Sequence, residues 1–251
     1  MSQKKTVFIT GASSGIGRGF ALYYGKRGYK VFLTARREPL LKSLVSGLNS
    51  ERKELVADYF AGDLTQECDI RVCINQALDF LGPIDLIICN AGIGDRVTVE
   101  NFSTKRIKKL YDVNVFAVLQ TIEGFLPTFL KQKKGHIVAV ASLAAYISSP
   151  RIHPYSATKA ALKSHMEGLA KELRPYGVDV SCLCPGFIKT DMTAGLKKPL
   201  PFLMELETAV EKMAKAIDAK KEVYAFPWQL LAAIKFMGLV PNVVKKWKIF
   251  N

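Results

Sequence analysis

Apolar positions along the chain fall into two alternating kinds of segment. Short runs rich in β-branched and aromatic residues, TVFIT (6–10), YKVFLT (29–34), ELVADYF (54–60), DLIIC (85–89), HIVAVA (136–141), VDVSCLC (178–184) and EVYAF (222–226), mark seven strands. Between them, Gly15 to Lys26, Glu38 to Leu48, Gln66 to Phe80, Lys105 to Leu130, Tyr155 to Leu173 and Met204 to Ala216 carry helical spacing and good helix formers. Alternating β and α segments predict a parallel sheet with helices on both faces. The strands are apolar almost throughout, so both sheet faces are expected to be buried. The expected fold is α/β, a doubly wound seven-stranded parallel sheet. No repeat, low-complexity tract or long linker divides the 251 residues, which predicts one domain over 1–225 and an apolar extension over 226–251. Two irregular stretches, Ile93 to Thr104 and Pro185 to Pro201, would emerge at carboxyl ends of strands, where open parallel sheets bind ligands.

The stretch ITGASSGIG follows the first strand and places glycines at Gly11, Gly15 and Gly17, just before an amphipathic helix. Such a loop allows positive φ and close backbone approach, and the amides at the helix start attract a pyrophosphate. Taken alone, it reads equally well as an ordinary βα turn. The second strand ends in Thr34-Ala35-Arg36-Arg37, about twenty residues further on, where a carboxylate would bind the ribose 2′-hydroxyl of NAD. Two guanidiniums stand there instead, which suits a 2′-phosphate, so NADP(H) is the expected cofactor.

Ser142 follows the fifth strand, and Tyr155-Ser-Ala-Thr-Lys159 opens a long helix. Tyr and Lys at i and i+4 share a helix face, and an adjacent ammonium favours the phenolate, which predicts a lowered Tyr155 pKa suited to acid/base work. Ser142 is placed to donate a hydrogen bond to a substrate oxygen as charge develops on it.

The ordered set Thr10-Gly11-x-x-x-Gly15-x-Gly17, Asp63-Leu64, Asn90-Ala91-Gly92, Asn114, Ser142, Tyr155 with Lys159, and Pro185-Gly186-x-Ile188-x-Thr190 resembles the short-chain dehydrogenase/reductase family, of the classical type, over about three quarters of the chain. The resemblance implies a Rossmann-type sheet and a role for each matching residue. Tyr155 would be the general acid in carbonyl reduction or the base in alcohol oxidation, with Lys159 tuning it and binding the nicotinamide ribose. Ser142 would polarise the carbonyl, and Asn114 would hold the helix geometry and a water that relays protons to Lys159. Gly11, Ser13, Ser14, Gly15, Ile16 and Gly17 would line the pyrophosphate and adenosine side, and Asp63 with Leu64 would contact adenine. Asn90, Ala91 and Gly92 would support the central sheet and the cofactor, while Pro185, Gly186, Ile188 and Thr190 would close over the nicotinamide. The chain departs from the pattern at Cys89, where the family often has Asn, and at Ala117, where Gly is frequent; neither removes a catalytic group.

Composition adds bounds. The formal net charge of +14 is compatible with nucleic acid, anionic lipid or an acidic partner. The basic residues fall in small clusters such as Lys105, Arg106, Lys108 and Lys109, without interleaved aromatics, so no nucleic-acid partner is expected. Five cysteines without CxxC or Cys/His spacing predict neither disulfide nor metal site, and the absence of an export-type leader predicts a cytoplasmic protein. His136 and His165 show no sequence partner, and His153, two residues before Tyr155 and within reach of a substrate, reads as a structural or exposed histidine outside the catalytic set. The extension FPWQLLAAIKFMGLV is too short to span a bilayer, but Trp228, Trp247, Lys235, Lys245, Lys246 and Lys248 fit a peripheral membrane contact. The same segment equally fits a cap over the site or an interface in a homodimer or homotetramer. The expected activity is NADP(H)-dependent interconversion of a carbonyl and an alcohol on a small, apolar substrate. A sterol, a long-chain ketone and an acyl-carrier thioester all stay open. The alternative is a non-catalytic NADP(H)-binding sensor or scaffold.

Overall fold

The computed structural model describes residues 4–52, 54–195 and 199–239. Seven strands, β1 (Thr6–Thr10), β2 (Lys30–Ala35), β3 (Ala57–Ala61), β4 (Leu86–Cys89), β5 (Gly135–Val140), β6 (Val178–Pro185) and β7 (Val223–Phe226), pair in parallel in the order β3-β2-β1-β4-β5-β6-β7. The helices are α1 (Gly15–Lys26), α2 (Glu38–Arg52), α3 (Glu67–Leu81), α4 (Thr104–Tyr111), α5 (Ala117–Gln132), α6 (His153–Leu173), α7 (Asp191–Ala194), α8 (Leu206–Asp218) and α9 (Trp228–Leu239). The chain leaves β1 towards β2 and β3, then returns to lay β4 on the other side of β1. The loops after β1 and β4 therefore lie side by side at the reversal point, where doubly wound sheets hold their ligands.

The unbroken apolar runs follow from this layering. Phe8 of β1 packs with Phe32, Phe125 and Phe129 on one face of the sheet, while Val7 and Ile9 pack with Phe20, Tyr24 and Leu33 on the other. Ile137 and Val138 of β5 divide in the same way. Successive strand residues point to opposite faces, so a sheet covered on both sides needs no polar positions in its middle.

Three segments differ from the sequence expectation. The helix expected over Lys105 to Leu130 is broken into α4 and α5 by a π-helical turn, Asp112–Phe116. The buried side chain of Asn114 engages the backbone of Ile93 from within this turn. The third strand starts later than expected: Leu55 is exposed, and the amides of Val56 and Ala57 both donate to Asn49 Oδ1, at 2.9 and 2.8 Å. The Pro185 to Pro201 stretch contains the short α7, closed by a reciprocal Thr190–Thr193 cap. In the extension, Leu230 and Ile234 of α9 are buried in the main core. Trp247, Lys245, Lys246 and Lys248 lie outside the described residues. Among the described residues, one helical run, Thr104–Gln132, is long and apolar enough to cross a membrane, but Ile122, Phe125 and Phe129 bury it against the sheet.

His136 gains a partner that the sequence did not disclose: its Nε2 lies 2.8 Å from Ser181 Oγ, between β5 and β6. Burial pushes its pKa down to about 4, so it is neutral in the fold. Between its ordinary value and about 4 the unfolded chain binds a proton that the native chain refuses, so stability falls with pH in that window. The full depression corresponds to about 3 kcal/mol. Urea titrations of wild type at pH 7 and pH 4.5 are expected to show most of this loss, and His136→Gln, which keeps a partner for Ser181, is expected to flatten it. A slope unchanged in the variant would assign the acid sensitivity to other groups.

Candidate active site

The site is assembled along the carboxyl edge of the sheet. After β1 the chain turns through Gly11 and Gly15, whose φ angles of +66° and +53° lie in the left-handed region that disfavours side chains. Gly17 is excluded from substitution for another reason. A Cβ there would sit 2.4 Å from Gly11 O and 2.5 Å from Asn90 Nδ2, so α1 can approach the β4 loop only with glycine at this place. From β4, the Asn90 and Ala91 amides both donate to Thr10 Oγ1 at 2.9 Å, and Asn90 Nδ2 donates to Thr10 O at 3.1 Å. The two loops are thus fixed to each other before any ligand arrives.

Arg37 reaches back over this loop. Its guanidinium donates to Ser13 Oγ at 3.0 and 3.2 Å and to Ser14 Oγ. Ser14 is the N-cap of α1, yet its side chain does not cap the helix, and the first turn holds no acidic residue. The leading amides of α1 are left for an anion, with a guanidinium two serines away.

At the other end stand Ser142, Tyr155 and Lys159. Ser142 caps a 3₁₀ turn, Leu143–Tyr146, and accepts from the Ala144 amide at 3.1 Å. One α6 turn separates Tyr155 from Lys159, whose Nζ lies 5.8 Å from the tyrosine ring centre and donates to Val140 O at 2.9 Å. Asn114 closes the frame: its Oδ1 accepts from Ile93 N at 2.8 Å, and its Nδ2 donates to Ile93 O at 2.9 Å and to Thr158 Oγ1 at 3.1 Å. Thr158 Oγ1 in turn donates to Tyr155 O at 2.7 Å. A Cβ on Gly92 would lie 3.2 Å from Asn114 Oδ1 and 3.4 Å from Lys159 Nζ, so the β4 loop passes directly over the lysine.

Burial governs the electrostatics, which corrects the expectation of a lowered Tyr155 pKa. Removal from water pushes the Tyr155 phenol up, and its hydrogen bond with Ser142 pulls it partly back. Removal from water also pushes Lys159 down, to about 8. The phenol is therefore held as a proton donor beside an ammonium that titrates just above neutrality. Cys89, buried at the end of β4, has its thiol pushed up to about 12 by burial and serves as packing.

These groups line one cleft of about 450 Å³. Every residue expected in the site from the sequence lines it except two: Gly17, which packs under the glycine turn, and Asn114, which braces the frame from behind. The sequence reading missed Thr158, Ile93 and Thr10 as braces, and Val113, Met192 and Thr193 as lining. Thr158 was within reach, since a hydroxyl at i+3 from Tyr155 on a buried helix face needs a partner. Ile93 acts through its backbone and leaves no side-chain signal. His153 stays out of the cleft and stacks on Phe102 with ring centres 6.5 Å apart.

Comparison with known proteins gives consistent likenesses. Residues 5–200 match the family model described as short chain dehydrogenase. The chain is 39% identical to an uncharacterized oxidoreductase of Myxococcus xanthus, over 95% of this chain and 93% of that protein. A short-chain dehydrogenase from Sphingobium yanoikuyae, solved in complex with NADPH, superposes with a TM-score of 0.83 at 27% identity, covering 98% of both chains. The 3-ketoacyl-(acyl-carrier-protein) reductase of Brucella melitensis, solved with NADH, gives a TM-score of 0.80 at 26% identity over 90% of this chain and 97% of that one.

Proposed function

The chain belongs to the short-chain dehydrogenase family of oxidoreductases, and from that premise we propose that it interconverts a carbonyl and a secondary alcohol on an apolar substrate, using NADP(H) and Tyr155 as proton donor or acceptor. One observation carries the reading. Ser142, Tyr155 and Lys159 converge at one end of a cleft whose other end is the glycine turn with Arg37 over it. The residues fit a dinucleotide: the positive-φ glycines make room for a diphosphate, the uncapped start of α1 offers amides, and Arg36 and Arg37 suit a 2′-phosphate. When bound, the cofactor supplies or accepts the hydride at the substrate carbon.

The chain's own residues handle the oxygen. In reduction, the Tyr155 phenol gives its proton to the substrate oxygen while the Ser142 hydroxyl donates a second hydrogen bond to that oxygen as its charge grows. The Lys159 ammonium stabilises the phenolate left behind, and its own position is set by Val140 O and by the Asn114 brace next to Gly92. In oxidation the same atoms run in reverse. A phenol held above its ordinary pKa is protonated at neutral pH, the form from which reduction starts. Ile93, Val113, Ala141, Ile188 and Met192 line the cleft with apolar surface, which supports a hydrophobic substrate.

The test is a panel of aliphatic, aromatic and long-chain ketones with NADPH, read by loss of nicotinamide absorbance. Turnover of at least one apolar ketone is expected, with kcat/KM falling above pH about 8 as Lys159 loses its proton and the phenolate loses its counter-charge. NADPH binding without turnover of any carbonyl or alcohol would overturn the reading in favour of a sensor or scaffold.

A further inference from the structure

We propose that α9 docks the protein on anionic lipid bilayers, with Phe236 among the acyl chains, Trp228 at their boundary with the headgroups and Lys235 at the headgroups. The inference goes beyond the proposed activity and stands without it. Helix α9 begins two residues after β7 and buries Leu230 and Ile234 in the main core. At 3.6 residues per turn, Lys235, Trp228, Ala232, Phe236 and Gln229 fall on the opposite arc. All five are exposed there, Trp228 by 70% and Phe236 by 65%. The helix is thus apolar on both faces and buries only one within its own fold. A helix apolar all round belongs either in a protein interior or against lipid.

Charge selects the occupant. From Val223 to Asn251 the sequence contains Lys235, Lys245, Lys246 and Lys248 and neither Asp nor Glu, in a chain of net charge +14. The last acidic residue before this stretch, Glu222, is already paired with Arg174. A second copy laid on this face would bring Lys235 towards Lys235 with no carboxylate among the described residues of α9 to answer it, and interface centres are depleted in lysine. An anionic bilayer supplies both an apolar phase for the two aromatics and opposite charge for the lysines. Tryptophan is the residue type that settles at the headgroup boundary. The buried face of the same helix adjoins the cleft: a Cβ on Gly186, which lines it, would lie 3.0 Å from Pro227 Cδ and 3.2 Å from Leu230 Cδ2. The wall of the site and the lipid-facing helix are one packed unit, so the cleft would sit close to the bilayer surface.

The test uses the full chain. Trp228 and Trp247 are its two tryptophans, so Trp247→Phe leaves Trp228 as sole reporter. With vesicles of mixed phosphatidylglycerol and phosphatidylcholine, Trp228 emission is expected to shift to the blue and to be quenched by brominated acyl chains. Vesicles of phosphatidylcholine alone should give little of either. In co-flotation against otherwise wild-type protein, Lys235→Gln is expected to weaken partition about fivefold. Trp228→Ser with Phe236→Ser should weaken it by about tenfold or more, with an unchanged thermal midpoint because both side chains are exposed. Three outcomes would overturn the proposal: no partition onto anionic vesicles, equal partition by the double variant, or a dimer that the double variant dissociates in the absence of any vesicle binding.

Discussion

Tyr155→Phe is expected to lower kcat for carbonyl reduction by about 10³-fold, within the 10²–10⁴ range of a general acid and equal to about 4 kcal/mol of barrier. The substitution is narrow. It removes one hydroxyl and keeps the ring beside Lys159, so the ammonium, still 2.9 Å from Val140 O, keeps its main anchor. Thr158 bonds the Tyr155 backbone carbonyl and not its side chain, so the Asn114 brace also survives. NADPH affinity and thermal midpoint are expected to change little, which separates loss of the proton donor from loss of the site. The variant should also lack the wild-type fall in rate above pH about 8, because Lys159 then has no phenolate to stabilise. Turnover within tenfold of wild type would show that the proton comes from elsewhere, and water held at Ser142 would be the next donor to test.

The sign of the Tyr155 shift marks where sequence reasoning stops. Spacing alone places an ammonium next to a phenol, and spacing was right about that. It carries no measure of how much water the two groups lose, and that loss sets both pKa directions. The fold itself was legible because its signal is local and repeated. Phe8, Phe32 and Ile137 face one way and Val7, Leu33 and Val138 the other, so each strand reads as a solid apolar run. The glycine turn was legible because φ of +66° at residue 11 favours one residue type. The π turn at Asp112–Phe116 was not: it carries Asn114, whose partner Ile93 lies 21 positions away, a contact that no helical period encodes. The late start of β3 has the same origin: Asn49 on α2 takes two amides that the sequence pattern assigns to a ladder.

Replacing both Arg36 and Arg37 with alanine is expected to raise the Kd for NADPH by about 10²-fold and to leave that for NADH within about threefold. Charge-assisted hydrogen bonds to a phosphate contribute roughly 1.5–3 kcal/mol each, and two such bonds would cover the effect with something left for screening by water. The geometry explains why discrimination should sit here. Both arginines line the cleft at the end of β2, and the next residue, Glu38, accepts a hydrogen bond from Tyr59 Oη at 3.4 Å. No carboxylate stands among Thr34, Ala35, Arg36 and Arg37, where a 2′-hydroxyl would be bound, so NADH is expected to lose little when the guanidiniums go. Arg37 adds a second consequence. Its bonds to Ser13 and Ser14 hold it over the glycine turn, so a 2′-phosphate meets a guanidinium already oriented and gives up less ordering entropy than a free side chain would demand. Arg37→Lys, which keeps the charge and loses the fork, should therefore recover only part of the affinity. Nicotinamide fluorescence titrations at low and moderate salt would measure all three proteins, the NADPH preference shrinking as salt rises. Equal affinity of wild type for NADH and NADPH would remove the arginines from cofactor selection and leave Arg37 as a clamp on the Ser13-Ser14 turn alone.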